Sequence, residues 1–131
     1  MSMKVWNVTL WIAQILLAAA FGYAGTFKGT APMHDLVASL VWPAALPPGL
    51  VRFIGGCELG GALGMILPAA TRIMPILTPL AAVGLATVMV LASIFHITRG
   101  EFSALGITIP LGLLAAFVAT GRFRKAPIRE R

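Results

Sequence analysis

Apolar residues dominate this chain in four long stretches, broken at intervals by short polar segments. Val5 to Phe27 carries no charge, Phe53 to Thr71 only Glu58, and Ile73 to Phe95 and Phe102 to Gly121 none. Each stretch is long enough to cross a hydrocarbon layer of ~30 Å as a helix, which needs about 20 residues. The pattern predicts spans over 5–28, 50–69, 74–98 and 103–122, forming an all-α bundle of four transmembrane helices. The first connection has its own periodicity. Met33, Leu36, Val37, Leu40 and Val41 recur at i, i+3, i+4, i+7 and i+8, one apolar helical face. A short helix is expected there, lying on the membrane interface and capping the bundle, between Lys28 and the Pro47-Pro48 pair that opens the second span.

Composition strengthens this picture. Of 131 residues, 59% are apolar and only 11% charged, and the mean hydropathy is +0.94. So little polar surface cannot cover a soluble domain, and the length suits one domain. Pro68, Pro75 and Pro79 fall near span ends, where a missing donor costs little; Pro110 lies inside the fourth span and should kink or open it. The first span resembles a signal peptide at Lys4 and at Ala18 and Ala20. Its apolar run is too long for one, and we expect an uncleaved first helix.

The net charge of +6 does not point to nucleic acid. Five of ten basic residues, Arg122, Arg124, Lys125, Arg129 and Arg131, sit in the last ten positions and read as a lipid-facing cytoplasmic anchor. With four spans, both termini and the middle connection share one side. That side holds seven basic residues (the five above, Lys4 and Arg72), against Lys28, Arg52 and Arg99 on the other. The expectation is that both termini are cytoplasmic. The opposite side collects Lys28, His34, Asp35, Arg52, Glu58, His96, Arg99 and Glu101. Trp6 and Trp11 fit an aromatic belt on the first side and Trp42 one on the second.

Glu58 is the residue that most needs explaining, because an acid inside a membrane is costly and usually functional. It lies ~12 Å into the second helix if that helix starts near Leu50. Gly56, Gly60 and Gly64 form a small-residue stripe for close packing, inside the chain or between copies, and Glu58 points about 160° away from Gly56 and Gly60. Its own face holds Ile54, Gly55, Gly61, Ala62 and Met65, and we expect it to look inward. On the first helix Gln14, Phe21 and Lys28 share a stripe beside Gly25; on the third, Met89, Ser93, His96 and Arg99 do. Lys28 and His96 could reach Glu58. The candidate catalytic residues are therefore Glu58 and His96, and the candidate ligand-binding residues Gln14, Lys28, Glu58, His96 and Arg99.

Blander readings stand beside these. Glu58 could form an interhelical bond that only fixes packing. Lys28 could snorkel to the interface, and His96 could be an ordinary interfacial histidine. Gly100 should end the third span, and Arg99 and Glu101 could pair at the surface, where such pairs contribute little. The single Cys57 forms no internal disulfide, and no CxxCH, paired cysteines, GxSxG, P-loop or dinucleotide fingerprint is present. A zinc site from His34, His96 and Glu58 has no supporting spacing. No intrinsic metal or cofactor is expected.

The pattern resembles the DoxX-like membrane proteins. The pieces that carry the resemblance are Gly25-Thr26-Phe27-Lys28, the run Pro48-Gly49-Leu50-Val51-Arg52-Phe53-Ile54-Gly55-Gly56-Cys57-Glu58-Leu59-Gly60-Gly61, Leu67-Pro68-Ala69, Leu77-Thr78-Pro79-Leu80-Ala81-Ala82, and Phe95-His96 with Arg99-Gly100-Glu101. The wider DoxX family often has an arginine early in the first helix; here that helix carries Gln14, so the DoxX-like subgroup fits. The resemblance implies a four-helix bacterial inner-membrane fold. Some relatives are subunits of thiosulfate:quinone oxidoreductases and others belong to oxidative-stress complexes. It directs attention to Lys28, Glu58 and His96.

Three functions follow as expectations. The first is a membrane subunit that holds a lipophilic small molecule such as a quinone in a polar pocket of the outer half, with a redox partner subunit or further copies of itself as partners. The second is a structural or assembly protein. The third is a small proton-coupled exporter, ranked last because such exporters carry their acid in the first helix and show weak charge bias.

Overall fold

The long apolar stretches form long helices because a backbone in lipid must satisfy its own hydrogen bonds. A computed structural model of the protein describes residues 1–131. It contains α1 (Met3–Thr30), α2 (Met33–Leu40), α3 (Pro48–Thr71), α4 (Leu77–Thr98) and α5 (Leu105–Thr120), with no strand. Trp42–Ala45 and Phe102–Ala104 are single 3₁₀ turns, and Gly121–Lys125 is one wide π-type turn that extends α5. Helices α1, α3 and α4, and the Phe102–Lys125 segment built on α5, are each long and apolar enough to cross a membrane. The expected short helix is present as α2, with Leu36 fully buried on its apolar face and Val41 exposed. Helix α5 runs without interruption through Pro110, which falls in its second turn.

Helix α1 packs chiefly on α3, and α5 on α4, while α3 and α4 join the two pairs. The core is narrow: Leu10, Leu17 and Phe21 from α1, Met65 from α3, Leu85 and Met89 from α4, and Val118 from α5, filled in by alanines. Large apolar side chains instead face outward on every span, among them Ile15, Leu63, Leu91 and Leu113. An exterior this apolar suits lipid and not water. Side-chain bonds tie the spans together, as is usual where apolar contact alone gives no driving force. Thr78 Oγ1 donates to Gly64 O at 2.8 Å, and the Ser93 and Thr108 hydroxyls share a bond of 2.8 Å.

The glycine stripe of α3 packs within the chain only at one end. Gly56 and Gly60 face open space, and only Gly64 meets a neighbour, Ala81 of α4. The close crossing is between α1 and α3. A Cβ on Gly25 would lie 2.7 Å from Gly55 O, and one on Gly55 would lie 2.7 Å from Gly29 N. Two backbones in contact leave no room for a side chain at either position. This crossing is what brings the end of α1, and Lys28, against α3.

Candidate functional site

Lys28 occupies the last turn of α1. Its carbonyl, one of those left over at a helix end, accepts a hydrogen bond from Arg52 Nη1 at 2.9 Å. Glu58 lies two turns deeper on α3, on the buried face with Val51, Gly55, Ala62 and Met65. It is 1% exposed. Lys28 Nζ reaches it at 2.5 Å, with 15% of the lysine side chain exposed. The acid therefore has a charged partner inside the bundle. The inward face read from the sequence is correct for Gly55, Ala62 and Met65, whereas Ile54 and Gly61 lie at its edges.

His96 closes α4. Gly100 adopts a left-handed φ of 69°, and Gly100 N–H and Glu101 N–H donate to Ile97 O and His96 O. This is the Schellman pattern, which glycine permits at C′. It folds Glu101 back over the helix end. Glu101 Oε1 then sits 3.0 Å from both His96 Nδ1 and Arg99 Nε. The Arg99 bond first, and the His96 bond second, hold the Glu101 carboxyl below the usual carboxylate range. With Nδ1 bonded to a carboxylate, the proton is assigned to Nδ1, which leaves Nε2 as the acceptor. Nε2 makes no hydrogen bond within the chain.

Trp42 joins the two groups. Lys28 Nζ stands over its ring at 5.5 Å from the centroid, and the His96 ring meets it edge-on at 6.4 Å. Phe95 packs edge-on against Trp42 and His96. Trp42 reaches this place through Val41, whose φ of 69° and ψ of −54° form the rarer, left-handed γ-turn. A β-branched residue there is strained.

Lys28, Glu58, His96 and Arg99 thus gather at one end of the bundle, in two ion-paired groups linked by Trp42. Gln14 is elsewhere, about 21 Å along α1 from Lys28 at 1.5 Å per residue. It is fully buried and donates to Met65 O at 2.7 Å. Its Oε1 accepts from Arg122 Nε at 2.7 Å. The C-terminal basic residues are accordingly not all a lipid-facing anchor: Arg122 is 3% exposed beneath the bundle, because the π-type turn after α5 swings it inward. Composition concealed this arginine among its neighbours. The signal that points to it is Asn7, seven residues before Gln14 on the same face of α1, since Arg122 Nη1 donates to Asn7 Oδ1 at 2.9 Å. Trp42 was legible only as a belt residue. His34 pairs with Asp35 on the surface, and His34, His96 and Glu58 do not come together as a metal-holding group.

A cavity of about 420 Å³ lies at the end that carries the termini, and a shallower one of about 360 Å³ runs between α3 and α4 along Gly60 and Leu85. Neither touches the Lys28–His96 end.

The chain matches no curated protein and no solved structure. It does match the family model described as the DoxX-like family, over residues 12–119. That match includes every residue of the Lys28, Glu58, Trp42 and His96 arrangement and covers well over half of the 131 residues. Four apolar spans and this match make the chain an integral membrane protein of the DoxX-like family.

Proposed function

We propose that this protein binds the polar head of a lipophilic small molecule, a quinone being the best-fitting class, at the Lys28–Trp42–His96 end of the bundle. The observation that carries the reading is the placement of Trp42 between an ammonium and an imidazole, each with unused hydrogen-bonding capacity. Lys28 Nζ has three N–H groups and spends one on Glu58. Nε2 of His96 has no partner in the chain. An aromatic plane flanked by two such groups suits a planar head with polar atoms at opposite edges.

A bound quinone would supply two-electron redox chemistry, with electrons from a partner subunit. The chain's own part is to orient and to move protons. Lys28 would donate to the oxygen at one edge of such a head. His96 Nε2, an acceptor, would take a hydrogen bond from the hydroxyl that the reduced, quinol form carries at the other edge, with Glu101 holding the ring. Glu58 holds Lys28 in place through their ion pair, and Arg99 fixes Glu101 at the mouth. We place the protein in a bacterial inner membrane with both termini cytoplasmic, supported by the seven-to-three distribution of basic residues.

The burial of the Glu58–Lys28 pair favours a second reading, a structural or assembly subunit in which the pair only fixes helix packing. Mass spectrometry of lipophilic molecules extracted from protein purified in mild detergent separates the two. The binding reading expects a quinone in the wild-type extract and its loss from a still-folded His96→Gln protein. Identical extracts support the structural reading.

A further inference from the structure

The end opposite Lys28 holds the one buried side-chain polar atom in the chain without a hydrogen-bond partner, Arg122 Nη2. Arg122 has five N–H groups in a planar fork and no acceptor atom. Nε donates to Gln14 Oε1 at 2.7 Å, and Nη1 donates to Asn7 Oδ1 and to Ala126 O, both at 2.9 Å. The guanidinium lies 5.8 Å from the centroid of the Trp11 ring. Every hydrogen-bond partner is neutral, and no carboxylate lies within ion-pair distance of the arginine. A charge 97% buried on dipoles alone is a costly arrangement. The two N–H groups of Nη2 add a local deficit of acceptors.

Arg122 also lines the cavity of about 420 Å³, together with Met74, Pro75, Pro79, Ile128 and Glu130 among others. The volume is in the range of small-molecule sites, roughly 300–1,000 Å³. Its wall includes the start of α4, a 22-residue helix with no acidic residue in its first turn, so the dipole there is uncompensated. Around it the basic residues are unneutralised. Arg72 Nε donates to Arg129 O, and Arg131 Nη1 to Thr71 O, both backbone carbonyls. Seven basic residues and one acid, Glu130, belong to this end. Glu130 is exposed at the cavity wall without an ion pair.

We propose that Arg122 and this cavity form a binding site for an anionic phosphate group, held by the free N–H groups of Nη2. The phosphate supplies both the missing charge and the missing acceptors. The apolar wall of Met74, Pro79 and Ile128 takes the uncharged part of the molecule that bears it. Nη2 is shut off from water, so the Pro127–Glu130 segment, exposed except at half-buried Ile128, swings aside to admit the phosphate. The shared chemistry belongs to an anionic phospholipid headgroup and to free phosphate, and the test distinguishes them.

The experiment is thermal unfolding of the full chain in mild detergent. The probes are dioctanoyl phosphatidylglycerol, dioctanoyl phosphatidylcholine as the net-neutral control, and inorganic phosphate against chloride at equal ionic strength. The site predicts a saturable rise in Tm with phosphatidylglycerol or with phosphate, and none with the controls. A rise with phosphatidylglycerol alone assigns a lipid headgroup, and a rise with inorganic phosphate as well assigns a free phosphate. Ile128→Trp fills the cavity and leaves the bonds of Arg122 in place. It should raise the half-saturating concentration at least about tenfold. Glu130→Gln removes the competing carboxylate and should lower it. No saturable rise with either probe, or a rise that Ile128→Trp leaves unchanged, overturns the proposal.

Discussion

The two ends of this bundle each hold a cation largely out of water, and they stabilise it by different means. At one end Lys28 meets Glu58 at 2.5 Å, and Arg99 meets Glu101 at 3.0 Å. At the other Arg122 is held by a glutamine, an asparagine and a backbone carbonyl. The first end is balanced in charge within the chain, and its free capacity lies on His96 Nε2 and on the spare N–H groups of an ammonium that Glu58 already pairs. The second is balanced in hydrogen bonds at two of its three nitrogens and not in charge. An end built the first way suits a neutral polar head; one built the second way suits an anion.

The sharpest way to break the comparison is to remove one member of the far-end pair. Glu58→Leu strands Lys28 in apolar surroundings and should cost about 3 kcal/mol, the lower part of the range for a broken buried pair because Lys28 can snorkel outward. The Lys28→Met/Glu58→Leu double variant should recover most of that loss, read by thermal or detergent-induced unfolding. At the other end Arg122→Met should cost about 2 kcal/mol, because it leaves the buried Gln14 Oε1 without a donor. No second substitution of a charged residue should rescue it, since no charged partner exists.

Gly55→Ala probes what holds the far end together. Its Cβ would strike the backbone of α1 at Gly29 and Lys28. A loss of about 1–3 kcal/mol is expected from the forced separation, with quinone retention falling more than stability because Lys28 moves from Glu58. The smallest effect concerns pH. The Glu101 carboxyl is held low by Arg99 and then His96. A depressed folded value means its contribution is complete above the ordinary carboxyl value of 4.5 and is lost as pH falls through the folded one. A pH titration of Tm should therefore show a weak acid-side decline that Glu101→Gln removes.

The difference between the ends also explains what the sequence made legible. Glu58 stood alone in an apolar run, so its inward face followed from helical spacing and the cost of an isolated charge, but Lys28 and His96 were both candidate partners; the structure pairs it with Lys28 and turns His96 to Glu101. The His96–Glu101 turn was marked by Gly100. Arg122 was hidden because it belongs to a cluster of five basic residues, four of which are exposed. Only the π-type turn after α5, which leaves no clear local signal, separates it from them. The glycines were only partly legible for a related reason. Spacing identified a stripe at Gly56, Gly60 and Gly64, but which of two small-residue faces meets a neighbour depends on how α1 crosses α3. That crossing is set by Gly25 and Gly55 together, from helices distant in sequence. Trp42 likewise depends on the Val41 turn, and aromatic character alone places a tryptophan no better than at the interface.

The central claim is that His96 presents a free Nε2 beside Trp42 to a polar-headed lipophile. The most direct test is nitrogen NMR of the His96 imidazole in detergent-solubilised protein, with and without decylubiquinone in its reduced, quinol form, whose hydroxyl can donate to Nε2. The account predicts a proton on Nδ1, and an Nε2 resonance that moves on addition of the quinol in wild type but not in Trp42→Ala. A proton resident on Nε2 with Nδ1 bare, or an Nε2 resonance indifferent to the quinol, would contradict it.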